Sequence, residues 1–198
     1  MIKGPGDIPE NVLQPRDRGE WRRWLEQNHA VSKGVWLIYY KKSSGKSNLS
    51  LDEALLEAVS FGWIDGRMHR LDDERVRLWF SPKRKGSTWS RSNKHRVELA
   101  IENGIMTPAG MAKVEEAQRN GSWDVLEDVE YLIIPEDLAQ ALADRPRARE
   151  RFDALSSSRR KQLLAWIKLA KRSHTRAERI EETVRLCQGE KVWRDLGR

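Results

Sequence analysis

Apolar positions first take up helical spacing after Arg18, where Trp21, Trp24 and Leu25 fall at i, i+3 and i+4; this predicts a helix ending near Asn28-His29. Before it, Pro5, Pro9 and Pro15 interrupt any periodicity, so residues 1–17 read as a disordered leader. The turn Ser32-Lys33-Gly34 leads into Val35-Trp36-Leu37-Ile38-Tyr39-Tyr40, a β-branched and aromatic run of strand length, followed by a polar loop from Lys41 to Asn48. Ser50 is placed to cap a helix over 51–60, with Asp52 and Glu53 in its first turn and Leu51, Ala54, Leu55, Ala58 and Val59 on its apolar side.

Phe61 to His69 and Arg75 to Phe80 predict two strands joined by the acidic turn Leu71-Asp72-Asp73-Glu74. Helices are expected from Ser92 to Asn103 and from Pro108 to Asn120, the second opened by Thr107 with Pro108 at its first position. After an acidic connector over 122–135 the pattern is helical to Gly189. It closes on a helical hairpin: one helix capped within Ser156-Ser157-Ser158, with Leu163, Trp166, Ile167 and Ala170 on its stripe, and one opened by the capping box Thr175-Arg176-Ala177-Glu178. The expected fold is α+β, a small antiparallel sheet of about three strands packed with helices, followed by a C-terminal helical hairpin subdomain. Its parts are a leader (1–17), an α+β domain (18–121), the connector (122–135), a helical subdomain (136–189) and a tail (190–198).

Charge complicates this picture. The 198 residues carry a formal net charge of +7, with 34% charged and 38% hydrophobic residues, enough for a true core. By segment the balance is 0 over 1–66, +7 over 67–96, −9 over 97–144, +8 over 145–185 and +1 over 186–198. Either the acidic block folds against the basic ones in cis, or a basic block, the first above all, lines an anion-binding surface. No run is long and apolar enough to span a membrane, and the N-terminal residues lack the apolar stretch of a signal peptide, so a cytoplasmic location is expected, without membrane insertion. A single cysteine, Cys187, leaves no internal disulfide.

Polar and aromatic chemistry concentrates between Phe61 and Arg96. Gly62 and Gly66 bracket a strand start where a close approach of backbone or ligand needs a missing side chain. The period of two puts Trp63 and Asp65 on one strand face, and the segment after Phe80 brings Ser81, Lys83, Arg84 and Lys85 nearby. The candidate ligand-binding residues are Trp63, Asp65, Arg67, Ser81, Lys83, Arg84, Trp89, Ser90 and Asn93. Each has a structural alternative: a salt bridge from Asp65 to Arg67 or Arg75, core packing for Trp63 and Trp89, a solvated loop at Lys83-Arg84-Lys85, and a helix cap among Ser87, Ser90 and Ser92. Most of the nine tryptophans, Trp21, Trp24, Trp36, Trp63, Trp79, Trp89, Trp123, Trp166 and Trp193, must be core, with a few lining a wall that stays wet at one end.

Enzymatic signatures are thin. His29, His69, His95 and His174 have no metal-ligand spacing, so neither a metal nor a cofactor is expected. His69 and Asp65 are the one acid/base pair on offer, and Cys187 reads as a small core residue. Gly45-Lys46-Ser47 looks like the end of a phosphate-binding loop but lacks the upstream glycine, since position 40 is Tyr40.

Several strings together resemble a known family. Trp24-Leu25-Glu26, Asn28-His29, Gly34-Val35-Trp36-Leu37, Phe61-Gly62-Trp63-Ile64-Asp65-Gly66, Phe80-Ser81-Pro82, Trp89-Ser90, Met106-Thr107-Pro108-Ala109-Gly110 and, near the end, Ala170-Lys171-Arg172 with Thr175-Arg176 and Arg179-Ile180 are similar to the YdeI/OmpD-associated, or bacteriocin-protection, proteins. The resemblance runs from about Glu20 to Gly189. It implies an α+β part followed by a helical part and a role in tolerance of bacteriocins or antimicrobial peptides, with no defined catalytic residue or cofactor. Ser60 stands where relatives often carry Cys, which removes a catalytic thiol there, and His174 stands where Glu commonly precedes Thr-Arg. The resulting expectation is a non-enzymatic protein holding a small-molecule or peptide ligand in a Trp- and Arg-rich cleft. The alternatives are a nucleic-acid-associated protein using segments 67–96 and 145–185, and an enzyme built on Asp65 and His69.

Overall fold

The computed structural model describes residues 11–190. The expected leader in residues 1–10, the tail in residues 191–198 and Trp193 lie outside the described residues. The chain divides into two compact units between Asp124 and Val125.

The first unit is α+β. Its sheet has four strands, β1 (Val12–Leu13), β2 (Val35–Tyr40), β3 (Trp63–Arg70) and β4 (Arg75–Pro82), in the order β1-β2-β4-β3. The sheet is mixed, not purely antiparallel: β2, β4 and β3 pair antiparallel, while β1 adds in parallel to the edge of β2, with Val12 opposite Trp36 and Leu13 opposite Leu37. Residues 12 and 13 are therefore sheet where a leader is expected from the sequence, because the open edge of β2 supplies backbone partners that no local pattern announces.

Helices α1 (Arg18–Asn28) and α2 (Leu51–Ser60) begin as the side chains dictate. Asp17 accepts from the Glu20 amide, and Ser50 and Glu53 close a reciprocal capping box. Trp21, Leu25, Leu37, Leu78, Phe80 and Trp63 are fully buried with Ala54 and Ala58 between these helices and one sheet face. Beneath them Glu57, almost completely buried, binds Arg18 at 2.6 Å and Arg22 at 2.7 Å. Two further helices, α3 (Arg91–Glu102) and α4 (Pro108–Arg119), form a second cluster with α2 around Val59, Trp89, Val97, Ala100 and Val114. Thr107 caps α4 and also donates its hydroxyl to the Ser60 carbonyl at 2.6 Å, tying that helix to the end of α2. Ser60 is itself fully buried, its hydroxyl bound to the Leu56 carbonyl.

The second unit, as described, is all helical: α5 (Glu127–Glu130), α6 (Glu136–Ala143), α7 (Pro146–Asp153), α8 (Ser157–Lys168) and α9 (Ser173–Gln188) around Leu138, Leu142, Phe152, Leu163, Ile167 and Val184. Ser156 caps α8. The last helix starts at Ser173, two residues before the expected capping box, so Thr175 is interior and makes no cap. Cys187 is buried in this core, and burial pushes its thiol pKa up.

Candidate functional site

The nine candidate residues do not meet in one cavity. Trp63 is fully buried, its indole N–H donating to the His29 carbonyl at 3.2 Å and its ring edge-on to Trp24. Trp89 is buried in the other cluster of the unit, 5.0 Å from the Trp123 ring. Asp65 is exposed and forms no ion pair with Arg67 or Arg75; Arg75 binds Asp72, whose carboxyl it holds below the usual range. Ser90 caps α3 by accepting from the Asn93 amide, and the Asn93 side chain accepts from Arg96 at 3.2 Å. Ser81 stands opposite Ile64 in the ladder.

A bulge decides the rest. Asp65 pairs with Phe80, but Met68 pairs with Leu78, so the register shifts at Gly66 and Arg67. Directly opposed residues share a face, which puts Asp65 on the Phe80 side and His69, opposite Arg77, on the other. The Asp65/His69 pair expected from the period of two is therefore split across the sheet. Gly62 and Gly66 make room for protein, since a Cβ would stand 2.6 Å from Lys113 Cγ at the first and 3.3 Å from Trp79 Cδ1 at the second.

Lys83, Arg84 and Trp89 do share a small crevice with Lys85, Ser87 and Lys113. Lys83 is the unusual member: buried, it donates to the Thr88 carbonyl at 2.8 Å and lies 4.5 Å from the Trp89 ring centroid, and desolvation lowers its pKa to about 8. Arg84 is exposed. Glu116 stands between Lys85 and Lys113 at 3.9 and 3.6 Å, and Lys94 binds Asp124 at 2.9 Å. In the second unit Lys161 binds Glu130, Lys168 binds Asp128, and Arg176 binds Asp137, which it holds below the usual carboxylate range. Both basic segments are thus partly neutralised within their own units by carboxylates of the acidic one.

A roomier concavity than this crevice lies elsewhere in the first unit, in a place that carries no motif. A cleft of about 730 Å³ opens between the end of β2, the loop over 41–50, the start of α2 and the edge of the hairpin. Tyr39, Leu49, Leu51, Met68 and Val76 supply apolar wall, Lys41, Lys42 and Lys46 line it as cations, and Asp52 adds one carboxylate against these three. Met68 belongs to the covered side of the sheet, opposite Leu78, yet it is 53% exposed because the helices leave this corner open. Lys46 is matched by Glu74 at 2.8 Å, and Lys41 is held by the carbonyls of Asp72 and Asp73 at 2.8 and 3.0 Å. Lys42 is exposed and has no carboxylate partner among the described residues. Burial and the negative charge of Asp65 push the Tyr39 hydroxyl pKa up, so it stays protonated at neutral pH, and no described group hydrogen-bonds to it.

Residues 41–48 read in the sequence as a connecting loop, and nothing in that stretch announces the cleft. The signal that could have found it is Met68, an apolar residue in a strand otherwise polar from Asp65 to Arg70.

In the second unit the arginines of the C-terminal string close the end of α8. Arg179 donates to the Trp166 carbonyl and stacks on the Trp166 ring at 5.2 Å, while Arg176 reaches the Ile167 carbonyl at 3.5 Å. The Trp166 carbonyl lies in the last turn, where a helix lacks amide partners, and the Ile167 carbonyl also accepts from the Ala170 amide at 3.2 Å.

Residues 13–113 match the family model described as Domain of unknown function (DUF8412). Residues 132–189 match the model described as Bacteriocin-protection, YdeI or OmpD-Associated. No curated protein and no solved structure matches the chain.

Proposed function

Because the chain belongs to the DUF8412 family and carries, over residues 132–189, a domain of the bacteriocin-protection, YdeI or OmpD-associated family, we propose that it is a non-enzymatic binding protein of bacteriocin or antimicrobial-peptide tolerance. Its ligand site is the cleft beside Tyr39, in place of the Trp63/Asp65/Trp89 surface expected from the sequence.

One observation carries this reading: a largely apolar cleft of about 730 Å³ with a protonated hydroxyl inside and lysines at its rim. That volume suits a small molecule or a short chain, since ligand sites are concave, mostly apolar and equipped with a few convergent polar groups. Lys42 and the Tyr39 hydroxyl are both donors and favour an anionic head, so the ligand class is an apolar body bearing a carboxylate, phosphate or sulfonate. No histidine or cysteine lines the cleft, and the exposed Asp65 is placed to influence Tyr39, not to act on a bound molecule.

Displacement of a fluorescent anilinonaphthalene sulfonate by dodecanoate, dodecanol and dodecylammonium tests it. Dodecanoate displaces the dye best and dodecylammonium worst. Met68→Glu, at an exposed position, abolishes binding, and Tyr39→Phe weakens dodecanoate roughly tenfold through the lost charge-assisted hydrogen bond. Equal affinity for the three compounds, or wild-type binding by Met68→Glu, contradicts the reading. In bacteriocin-challenged cells the Met68→Glu chain, at unchanged abundance, gives no protection where the wild type does.

A further inference from the structure

The sheet face turned away from Phe80 carries aromatic and cationic side chains together. Trp36 and Trp79 are directly opposed with ring centroids 5.4 Å apart. The Arg77 guanidinium lies 4.9 Å from the Trp36 ring centroid, and the His69 ring meets Trp36 edge-on at 5.2 Å. A Cβ at Gly34 would stand 2.1 Å from Trp79 Cζ2 and one at Gly66 3.3 Å from Trp79 Cδ1, so backbone without side chains seats this indole on the sheet. Both tryptophans are half-buried, which gives them fixed positions without covering them.

The charges on this face are one-sided. Arg77 Nε is buried without a hydrogen-bond partner, and neither Arg77 nor Arg67, exposed at the bulge, has a carboxylate partner among the described residues. No strand position sharing this face holds Asp or Glu: the pairs are Val12 with Trp36, Trp36 with Trp79, Ile38 with Arg77, Tyr40 with Arg75, Ile64 with Ser81, and His69 with Arg77. Arg75, at the hairpin end of this face, is matched by Asp72 at 2.7 Å, whereas Arg77 and Arg67 are not matched.

We propose that this face binds single-stranded nucleic acid, about two bases stacking on Trp79 and on the Arg77–Trp36 pair while Arg67 and Arg77 meet the phosphates. Stacking rings fixed on a sheet beside unpaired guanidiniums match a ligand that alternates π-faces with negative charge. A cationic peptide is repelled by the same arginines. The site is separate from the cleft beside Tyr39 and does not depend on it.

Fluorescence anisotropy with a labelled oligothymidylate of about ten nucleotides tests this at low salt. Binding is expected, weakening with salt on a log–log slope of about −1.5 to −2 if two or three phosphates are neutralised. Trp36→Ala and Trp79→Ala each weaken it about tenfold. Arg77→Gln weakens it too and keeps the test alive if a tryptophan variant unfolds by circular dichroism. The paired change Arg84→Gln/Lys85→Gln, on the loop after Pro82, costs much less than Arg77→Gln does, and so does the uncharged change Met68→Gln in the cleft. No binding by the wild type overturns the proposal. So does an equal loss in the Arg84→Gln/Lys85→Gln control, or equal competition by duplex DNA or polyglutamate, because either shows general attraction to polyanions without stacking.

Discussion

The benzene ring of Trp79 lies directly over the backbone of Gly34, so close that a Cβ there would be 2.1 Å from Cζ2. Gly34-Val35-Trp36-Leu37 is thus one packing device, in which the glycine seats the indole of the neighbouring strand. Gly34→Ala forces Trp79 out of its place at a cost of about 1–3 kcal/mol, the range for overpacking. Chemical denaturation measures the loss, and a changed near-ultraviolet tryptophan signal shows that the ring has moved. Unchanged values for both mean that the ring is not seated on residue 34.

Glu57 is nearly inaccessible and holds two arginines of the preceding helix. Removing one partner of a buried ion pair strands the other charge, so Glu57→Ala is expected to cost about 3 kcal/mol or more. Arg18 and Arg22 retain some contact with water, which places the value toward the lower end of that range. Urea denaturation of Glu57→Ala against Arg16→Ala, an exposed helix-start pair worth little, separates the buried contribution from surface charge.

Lys83 makes stability depend on alkaline pH. Its folded pKa is lowered from 10.5 to about 8 by burial, so the cost of burying an ammonium is present below pH 8. Between about 8 and 10.5 the unfolded chain holds a proton that the folded chain has released, and stability rises with pH across that window. The full shift corresponds to about 3 kcal/mol as an upper limit. The Thr88 carbonyl and the Trp89 ring favour the charged form and reduce it. Lys83→Met removes the slope; Tyr39, whose raised pKa acts in the opposite sense above pH 10, is common to both proteins and cancels in the difference. Parallel stability curves for wild type and Lys83→Met contradict the assignment.

Arg179 closes the C-terminus of α8 through the Trp166 carbonyl. Arg179→Ala is expected to lower the stability of the second unit by about 1–2 kcal/mol with its helix content kept. Hydrogen exchange locates the effect: amides in the last turn of α8 lose protection before the rest of the unit does.

Several of these features were readable from residue order and several were not. Caps at Ser50, Thr107 and Ser156, the hairpin around Asp72-Asp73 and the helical end of the chain follow from local chemistry, which short windows contain. β1 escapes because two residues pair with a strand more than twenty positions away. Asp65 and His69 part company because a bulge at Gly66-Arg67 breaks the period of two, and nothing before the paired strand reveals which residue is extra. Trp63 and Trp79 look alike in sequence; one is drawn under two helices and the other lies on the opposite face, a distinction made only by tertiary packing. The capping box at Thr175-Glu178 fails because the turn after Ala170 is short enough for α9 to begin at Ser173. The cleft beside Tyr39 is assembled from five separate stretches of chain and has no local signature at all.

Whether the cleft beside Tyr39 takes an apolar molecule with an anionic head is read most directly by NMR shift mapping with dodecanoate kept below its micelle concentration. Saturable shifts are expected at Leu49, Leu51, Met68 and Val76, and they disappear in Met68→Glu. Shifts confined to the loop after Pro82 or to the face around Trp79, or no saturable shifts anywhere, would contradict binding in the cleft.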